Sequence, residues 1–255
     1  MKHVRIGNWE FSKAICGTNA FYGRSHFSEA RDAEYHARFS AERIERMVQR
    51  CIDRGINTVE SSANAGIDAT LATVRARNPQ AIHFIGSTRI DETSEMKSHE
   101  QKLDHLLSVG AQVCIIHAQW ADRVARSAES AGLERWLEKI HAAGLLAGIS
   151  THQVKIVEMC EQRGYAIDTY MFPLNPIGFV YPGYPGRETV QQRVDLVRGV
   201  AKPFILMKTL GAGRIPPAEG LQFVAENSKP NDVISIGFGT EEELDETVQL
   251  VEKYF

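Results

Sequence analysis

The sequence has few cysteines and no long hydrophobic run, and these absences exclude several classes of protein. Its 255 residues include four cysteines, and no two of them form a CxxC pair. A disulfide scaffold or a cysteine-rich zinc site needs closely spaced cysteines, so we expect reduced thiols in a core. No run approaches the ~18 apolar residues of a membrane span, and Met1–Arg5 form no apolar signal region. We therefore expect a cytoplasmic protein.

A strong excess of charge of one sign is also missing. The formal net charge is −3 at pH 7, whereas nucleic acids and anionic membranes attract strongly basic surfaces. We therefore expect a small-molecule substrate and neither of those partners, and homo-oligomer formation stays open. Hydrophobic residues make up 43% of the chain, enough for a large core.

One pattern is present from end to end: an apolar run of strand length, a polar turn, and an amphipathic stretch of helix length. The apolar runs start near Ala14, Ile56, Ala81, Gln112, Leu145, Ala166, Pro203 and Asp232. Eight such units in about 250 residues are typical of the α/β class with a (β/α)8 TIM barrel. We predict one barrel domain over residues 1–255, with an N-terminal β-hairpin over residues 3–12.

Two connections are longer than this architecture needs. Residues 19–39 are predicted to be a polar loop, after which Ser40 caps a helix. Residues 172–187 are rich in aromatic residues, proline and glycine, and are a candidate lid over the barrel mouth.

Polar and ionisable side chains follow several predicted strands, where barrel active sites lie. The set is Cys16, Glu60, Arg89, His117, His152, Asn175, Lys208 and Arg214. Glu60 is a candidate proton-transfer carboxylate, or one half of a structural ion pair with Arg89. His117 is a candidate hydrogen-bond donor to a carbonyl oxygen.

Lys208 and His152 each have two interpretations. Lys208 is either a general base or Schiff-base amine, or a lysine that reaches solvent or pairs with a carboxylate. His152 either caps the following helix or joins Glu60 and His117 as ligands of a divalent metal, although no metal motif is present.

Glycine-rich turns follow the seventh and eighth predicted strands, where barrels often bind phosphate. They contain Gly211, Gly213 and Arg214 in the first turn, and Gly239 and Thr240 in the second. The acidic residues 241–243 oppose phosphate at the second turn, or simply favour the start of the last helix.

Several of these stretches together resemble the aldo-keto reductase superfamily, over nearly the whole chain. They are Gln49–Glu60, Cys114–His117, Gly148–His152 and Leu206–Gly213. The resemblance implies a barrel that reduces carbonyl compounds with NAD(P)H, using an aspartate, a tyrosine, a lysine and a histidine. The matching positions here are Glu60, Ala65, Arg89 and His117, so the histidine alone is kept. Alanine cannot donate a proton.

The cofactor positions implied by the resemblance are also altered. The Ser-Asn pair for the nicotinamide amide is Ser150-Thr151, the strand-six glutamine is Met171, and the stacking aromatic is Met207. The basic and asparagine positions of strand eight fall near Gly239 and Thr247. A relocated proton donor has three candidates, which are Tyr22, Tyr181 and Tyr184.

Three hypotheses follow from these residues. The first is a diverged barrel enzyme that isomerises, or eliminates from, a small polar carbonyl or sugar-like compound by acid-base chemistry, with or without a metal. The second is an atypical NAD(P)H-dependent oxidoreductase with a relocated proton donor. The third is a ligand-binding barrel without catalysis. The cofactor stays unknown among these.

Overall fold

Eight parallel strands close into a barrel within the part of the chain that the structure describes. The computed structural model describes residues 1–62, 64–79, 82–90, 96–124 and 131–255. The barrel strands are β3 (Ala14–Gly17), β4 (Thr58–Ser62), β5 (His83–Ser87), β6 (Val113–Ile116), β7 (Leu146–Ser150), β8 (Thr169–Pro173), β9 (Phe204–Met207) and β10 (Val233–Ile236). They follow chain order around the barrel, and β10 pairs with β3 to close it. The predicted (β/α)8 barrel is confirmed.

Helices connect the strands, as right-handed crossovers require. They are α1 (Glu29–Arg38), α2 (Ala41–Asp53), α3 (Ala65–Arg77), α4 (His99–Ser108), α5 (Ala118–Val124), α6 (Ala131–Ala142), α7 (Val154–Gln162), α8 (Val190–Gly199), α9 (Pro217–Asn227) and α10 (Glu241–Tyr254). Among the described residues, no helix is both long and apolar enough to cross a membrane.

The N-terminal hairpin is also confirmed, and it packs against the barrel interior. Strands β1 (His3–Ile6) and β2 (Trp9–Ser12) pair antiparallel. Phe11 is fully buried and joins an inner core with residues such as Ile15, Ile85 and Ile115. A second core lies between the strands and the helices, because neighbouring strand residues point to opposite faces.

The prediction of a polar loop over residues 19–39 was wrong. This segment contains a short 3-10 helix (Asn19–Tyr22) and α1. Ser28 is the N-cap of α1, and its side chain accepts a hydrogen bond from the N–H of Arg31. No residue of α1 is buried, so the helix lacks the apolar stripe by which helices are recognised in sequence.

Two strand boundaries also differ from the prediction. β4 starts at Thr58 instead of Ile56 and continues to Ser62, so Glu60 lies inside the strand and not at its end. The predicted start of the third barrel strand, Ala81, lies outside the described residues. The four cysteines are buried and form no disulfide.

Candidate active site

A cavity of about 630 Å³ lies at the carboxyl ends of the barrel strands. The structure brings together there seven of the residues predicted from sequence: Tyr22, Glu60, Arg89, His117, Ser150, His152 and Lys208. The lid residue Tyr181 also lines it. The volume lies within the range of ordinary small-molecule sites.

Glu60 lies on β4 with its carboxylate in a poorly solvated part of the cavity. Burial raises its pKa to about 7, and a weak hydrogen bond from Ser235 Oγ, at 3.4 Å from Oε2, opposes this effect. A carboxyl group with this pKa is present in both protonation states near neutral pH. It can therefore both accept and donate a proton near neutral pH.

Arg89 follows β5 and lines the same cavity as Glu60. A guanidinium at ion-pair distance would lower the pKa of a carboxylate, whereas the pKa of Glu60 is raised. An ion pair with Arg89 therefore does not set the protonation state of Glu60. Arg89 instead contributes positive charge to the cavity.

Lys208 follows β9 in the left-handed region, with φ of +58°. Burial lowers the pKa of its amino group to about 8. Within the described part of the chain, Nζ has no hydrogen bond or ion pair. The paired-lysine interpretation from sequence therefore finds no support.

Three histidines surround the cavity. His117 accepts the N–H of Gln119 at Nδ1, 3.3 Å away, so the proton of a neutral ring lies on Nε2. His26, in the segment predicted to be a loop, also lines it, and its pKa is lowered to about 4 by burial and by the charges of Lys208 and Arg89. Burial is the largest cause of this shift, and the two nearby cations add to it.

His152 lies between the lid and α5. Its ring meets the Tyr181 ring edge-on at 5.3 Å, and its Nδ1 lies 3.7 Å from Asp122 Oδ2. Asp122 accepts a hydrogen bond from Thr151 Oγ1 at 2.5 Å. Burial alone would raise the pKa of Asp122, but the nearby His152 ring and the hydrogen bond from Thr151 lower it.

Asp122 was not predicted from the sequence, because it lies within a helix, away from any strand end. Arg24 and Ser235 were not predicted either. Arg24 follows the 3-10 helix and lines the cavity, and Ser235 lies on β10 and contacts Glu60. Nothing in their local sequence distinguishes these residues from ordinary surface or strand residues.

The hydroxyl group of Tyr22 is buried beside Ser61 and Asn64. It has no hydrogen bond of normal geometry within the described residues, and burial raises its pKa. Tyr22 and Tyr181 both line the cavity, so both of these candidate proton donors reach it. Tyr184 instead donates to the carbonyl oxygen of His152 at 2.9 Å.

The metal site suggested by Glu60, His117 and His152 does not form. Across the described ranges, no three His, Cys, Asp or Glu side chains lie close enough together to hold a metal ion. His152 pairs with Asp122 instead.

The turn after β9 does not offer its N–H groups to a phosphate. The N–H of Gly211 donates to the carbonyl of Lys208 at 2.8 Å, and that of Gly213 to Leu210 at 2.9 Å. The Arg214 guanidinium bonds to the carbonyl of His26 at 3.1 Å and lies 4.2 Å from the Phe179 ring centre. These contacts join the first loop to the lid.

The turn after β10 is occupied as well. Glu243 Oε2 accepts the N–H of Gly239 at 2.7 Å, and Thr240 caps α10 through the N–H of Glu243. Helix α1 lies over this turn, where Arg38 donates to the carbonyl of Gly239 at 2.9 Å. A phosphate would have to displace a carboxylate here, so neither turn supports the predicted phosphate site.

Asn175 is part of the lid anchor and not of the cavity wall. Its side chain donates to the carbonyls of Phe179 at 2.8 Å and Lys208 at 3.0 Å. Its role in the structure is to fix the lid to the end of β9.

Comparisons with known proteins agree with this architecture at the level of fold. No family model and no curated protein matches the chain. Solved structures do match. Aldo-keto reductase AKR11C1 from Bacillus halodurans, in its holo form, is 11% identical with a TM-score of 0.69, covering 99% of this chain and 91% of that one. The fold is that of the aldo-keto reductases.

Two further similar structures show the range of chemistry on such barrels. A Klebsiella pneumoniae aldo/keto reductase, solved with NADP and acetate, is 13% identical with a TM-score of 0.63, covering 98% of this chain and 90% of that one. An N-acetylmannosamine-6-phosphate 2-epimerase from Clostridium perfringens is 16% identical with a TM-score of 0.52, covering 77% of this chain and 79% of that one.

The nicotinamide dinucleotide implied by this fold does not fit the residues present. The family resemblance implies a cofactor contact near Gly239, but the N–H of Gly239 is taken by Glu243, and α1 lies over this turn. Thr247, at a predicted contact position, is buried in α10. Ala65, at the position of the catalytic tyrosine, starts α3, and its side chain lies outside the described residues.

Proposed function

We propose that this protein is a barrel enzyme that moves protons on a small, anionic carbonyl or sugar-like compound without a nicotinamide cofactor. One observation carries the proposal: Glu60 and Lys208 line one cavity, and each has its pKa displaced toward neutrality by burial. Displaced pKa values in a cleft are typical of catalytic acids and bases.

The chemistry starts from Glu60 in its carboxylate form. Glu60 removes the proton from the carbon next to the substrate carbonyl, and the electron pair moves onto the carbonyl oxygen. His117, Arg89 and Lys208 supply hydrogen bonds and positive charge for that oxygen. The proton then returns to a neighbouring carbon, which isomerises the substrate, or a leaving group departs, which is elimination.

The charge of the cavity favours an anionic substrate. Arg24, Arg89, Lys102 and Lys208 line it, and the charges of Lys208 and Arg89 add to burial in lowering the pKa of His26. A carboxylate or phosphate on the substrate would be attracted to this wall. The C. perfringens 2-epimerase, a barrel that acts on a sugar phosphate, supports the proposal by showing non-redox chemistry on a similar scaffold.

The test is exchange of the substrate α-proton with solvent deuterium, followed by proton NMR without added cofactor. Suitable probes are dihydroxyacetone phosphate, glyceraldehyde 3-phosphate and pyruvate. We expect exchange with at least one probe and a loss of about 10²–10⁴-fold in Glu60→Gln. Equal exchange by wild type and Glu60→Gln would contradict the assignment of Glu60.

A second candidate function is an NAD(P)H-dependent reductase that uses Tyr22 as proton donor. The buried Tyr22 hydroxyl without a hydrogen bond among the described residues favours it. The occupied Gly239 turn disfavours it. Saturable NADPH binding that depends on the cavity residues would establish this function.

A further inference from the structure

Lys208 differs from Lys13, Lys202 and Lys229 in that its amine has no hydrogen bond or ion pair within the described residues. Lys13 Nζ donates to the carbonyl of Asp232 at 2.6 Å, and Lys229 Nζ lies 2.8 Å from the carboxylate of Asp232. Lys202 Nζ lies 2.6 Å from Glu161. Within the described residues, the Lys208 amine has neither kind of contact, and it lines the cavity.

The backbone fixes Lys208 in place. Its φ of +58° is uncommon for a residue with a side chain. Its carbonyl oxygen accepts from Asn175 Nδ2 at 3.0 Å and from the N–H of Gly211 at 2.8 Å. Backbone strain of this kind persists where the surroundings hold it, often at functional sites. The amine is therefore held at the cavity while its backbone is anchored on two sides.

An unpaired amine in a poorly solvated cavity is a nucleophile for a carbonyl carbon. Burial disfavours the ammonium form, so the neutral amine with its lone pair is more abundant than at an exposed lysine. A lysine made neutral in this way is the group that forms Schiff bases with carbonyl substrates.

We propose that Lys208 forms an imine with the carbonyl group of the substrate. The proposal rests on the proposed function, since it names the electron sink for proton removal by Glu60. The Nζ lone pair attacks the carbonyl carbon, and the carbonyl oxygen takes a proton from the acid form of Glu60. The nitrogen of the carbinolamine then passes one of its protons to that oxygen, which leaves as water, and the nitrogen lone pair forms the C=N bond of an iminium.

The iminium draws electrons more strongly than the carbonyl it replaces. When the Glu60 carboxylate removes the α-proton, the electron pair moves toward nitrogen and gives an enamine. Reprotonation and hydrolysis by water return the free amine and the product. The sequence consumes no oxidant or reductant.

The test is reductive trapping of the full-length protein with sodium cyanoborohydride. The probes, each added separately, are pyruvate, dihydroxyacetone phosphate and glyceraldehyde 3-phosphate. We expect with at least one probe a mass gain equal to that compound less one oxygen atom, located on Lys208 by peptide mapping. Lys208→Met should abolish the gain, and its circular dichroism and thermal unfolding should show that it is folded.

Lys13 provides an internal control within the same sample. Burial also lowers its pKa to about 8, but its amine bonds to backbone carbonyls away from the cavity. Labelling of Lys208 and not of Lys13 supports the proposal. Labelling of both to the same extent, or of exposed lysines alone, overturns it.

The outcomes separate the imine from the proposed function. Absence of label with all three probes overturns the imine, and if α-proton exchange still occurs, the acid-base function remains. Label on Lys208 together with exchange that survives in Glu60→Gln supports the imine and removes Glu60 from its assigned role.

Discussion

The proposed function depends most on the environment of Glu60. Its pKa of about 7 arises from burial in the barrel mouth, with Ser235 as its neighbour from the other end of the chain. A buried carboxyl group without a cationic partner costs stability once it ionises. Catalytic utility and stability therefore oppose each other at this position.

This opposition predicts that Glu60→Gln stabilises the protein at alkaline pH. Folded Glu60 keeps its proton up to about pH 7, whereas an unfolded glutamate releases it near 4.5. The folded state binds more protons between these values, so wild-type stability falls as pH rises through this window. Urea unfolding at pH 8 should show the variant more stable by about 2 kcal/mol.

At about pH 4.5 the difference between Glu60→Gln and wild type should shrink, because Glu60 is then protonated in the folded protein. A variant that is less stable than wild type at pH 8 would show that the carboxylate has a stabilising partner.

Thr151 offers a second prediction at the residue scale. Its hydroxyl donates to the buried Asp122 carboxylate, which lies beside His152. Thr151→Val should lower the free energy of unfolding by about 1–3 kcal/mol, because a charged acceptor loses its donor. The neighbouring Ser150 is also buried, but the described structure shows no hydrogen bond from its side chain, so Ser150→Ala should cost less. Equal losses in chemical denaturation would contradict the assigned role of Thr151.

Substitutions in the N-terminal hairpin test how much its packing against the barrel interior contributes to stability. Phe11 is fully buried in the inner core, whereas Trp9 on the same strand is 40% exposed. Phe11→Ala should lower stability by about 3–5 kcal/mol, and Trp9→Ala should change it much less. Similar unfolding midpoints for both variants would contradict the packing of the hairpin into the barrel.

Besides the anchor at Asn175, a buried side chain on α8 contacts the lid predicted over residues 172–187. Arg193 on α8 is 2% exposed, bonds to the carbonyl of His152 at 3.0 Å, and lies 5.7 Å from the Tyr184 ring centre. Arg193→Met should loosen the lid, since the contact with the Tyr184 ring and the ion pair with Glu188 are lost. Hydrogen exchange of the lid amides should rise in this variant, and unchanged exchange would mean that Asn175 suffices as the anchor.

Elements with a periodic apolar pattern were predictable from the sequence, and elements without one were not. α2 follows the cap predicted at Ser40, and its periodic apolar residues Ile44, Met47, Val48 and Cys51 are all buried. α1 buries no residue and was mistaken for a loop. Its position over Gly239 depends on contacts with distant parts of the chain, such as that of Arg38, which no local pattern encodes.

On the scale of the whole molecule, the barrel and the location of its site could be predicted, because strand ends meet at one rim. The protonation and hydrogen bonding of the site could not be predicted. Asp122, His26 and Ser235 come from separate elements, and their effects on the cavity depend on distances that only the folded chain sets. The turns with Gly211 and Gly239 show the same limit, since their N–H groups are taken by partners within the protein.

We propose that a barrel with the aldo-keto reductase fold works here without a nicotinamide cofactor. Titration of the purified protein with NADPH and NADH, followed by calorimetry and by cofactor fluorescence, tests it most directly. We expect no saturable binding at NADPH or NADH concentrations up to the millimolar range, because Glu243 and α1 occupy the Gly239 turn. Stoichiometric binding with a micromolar dissociation constant would contradict it.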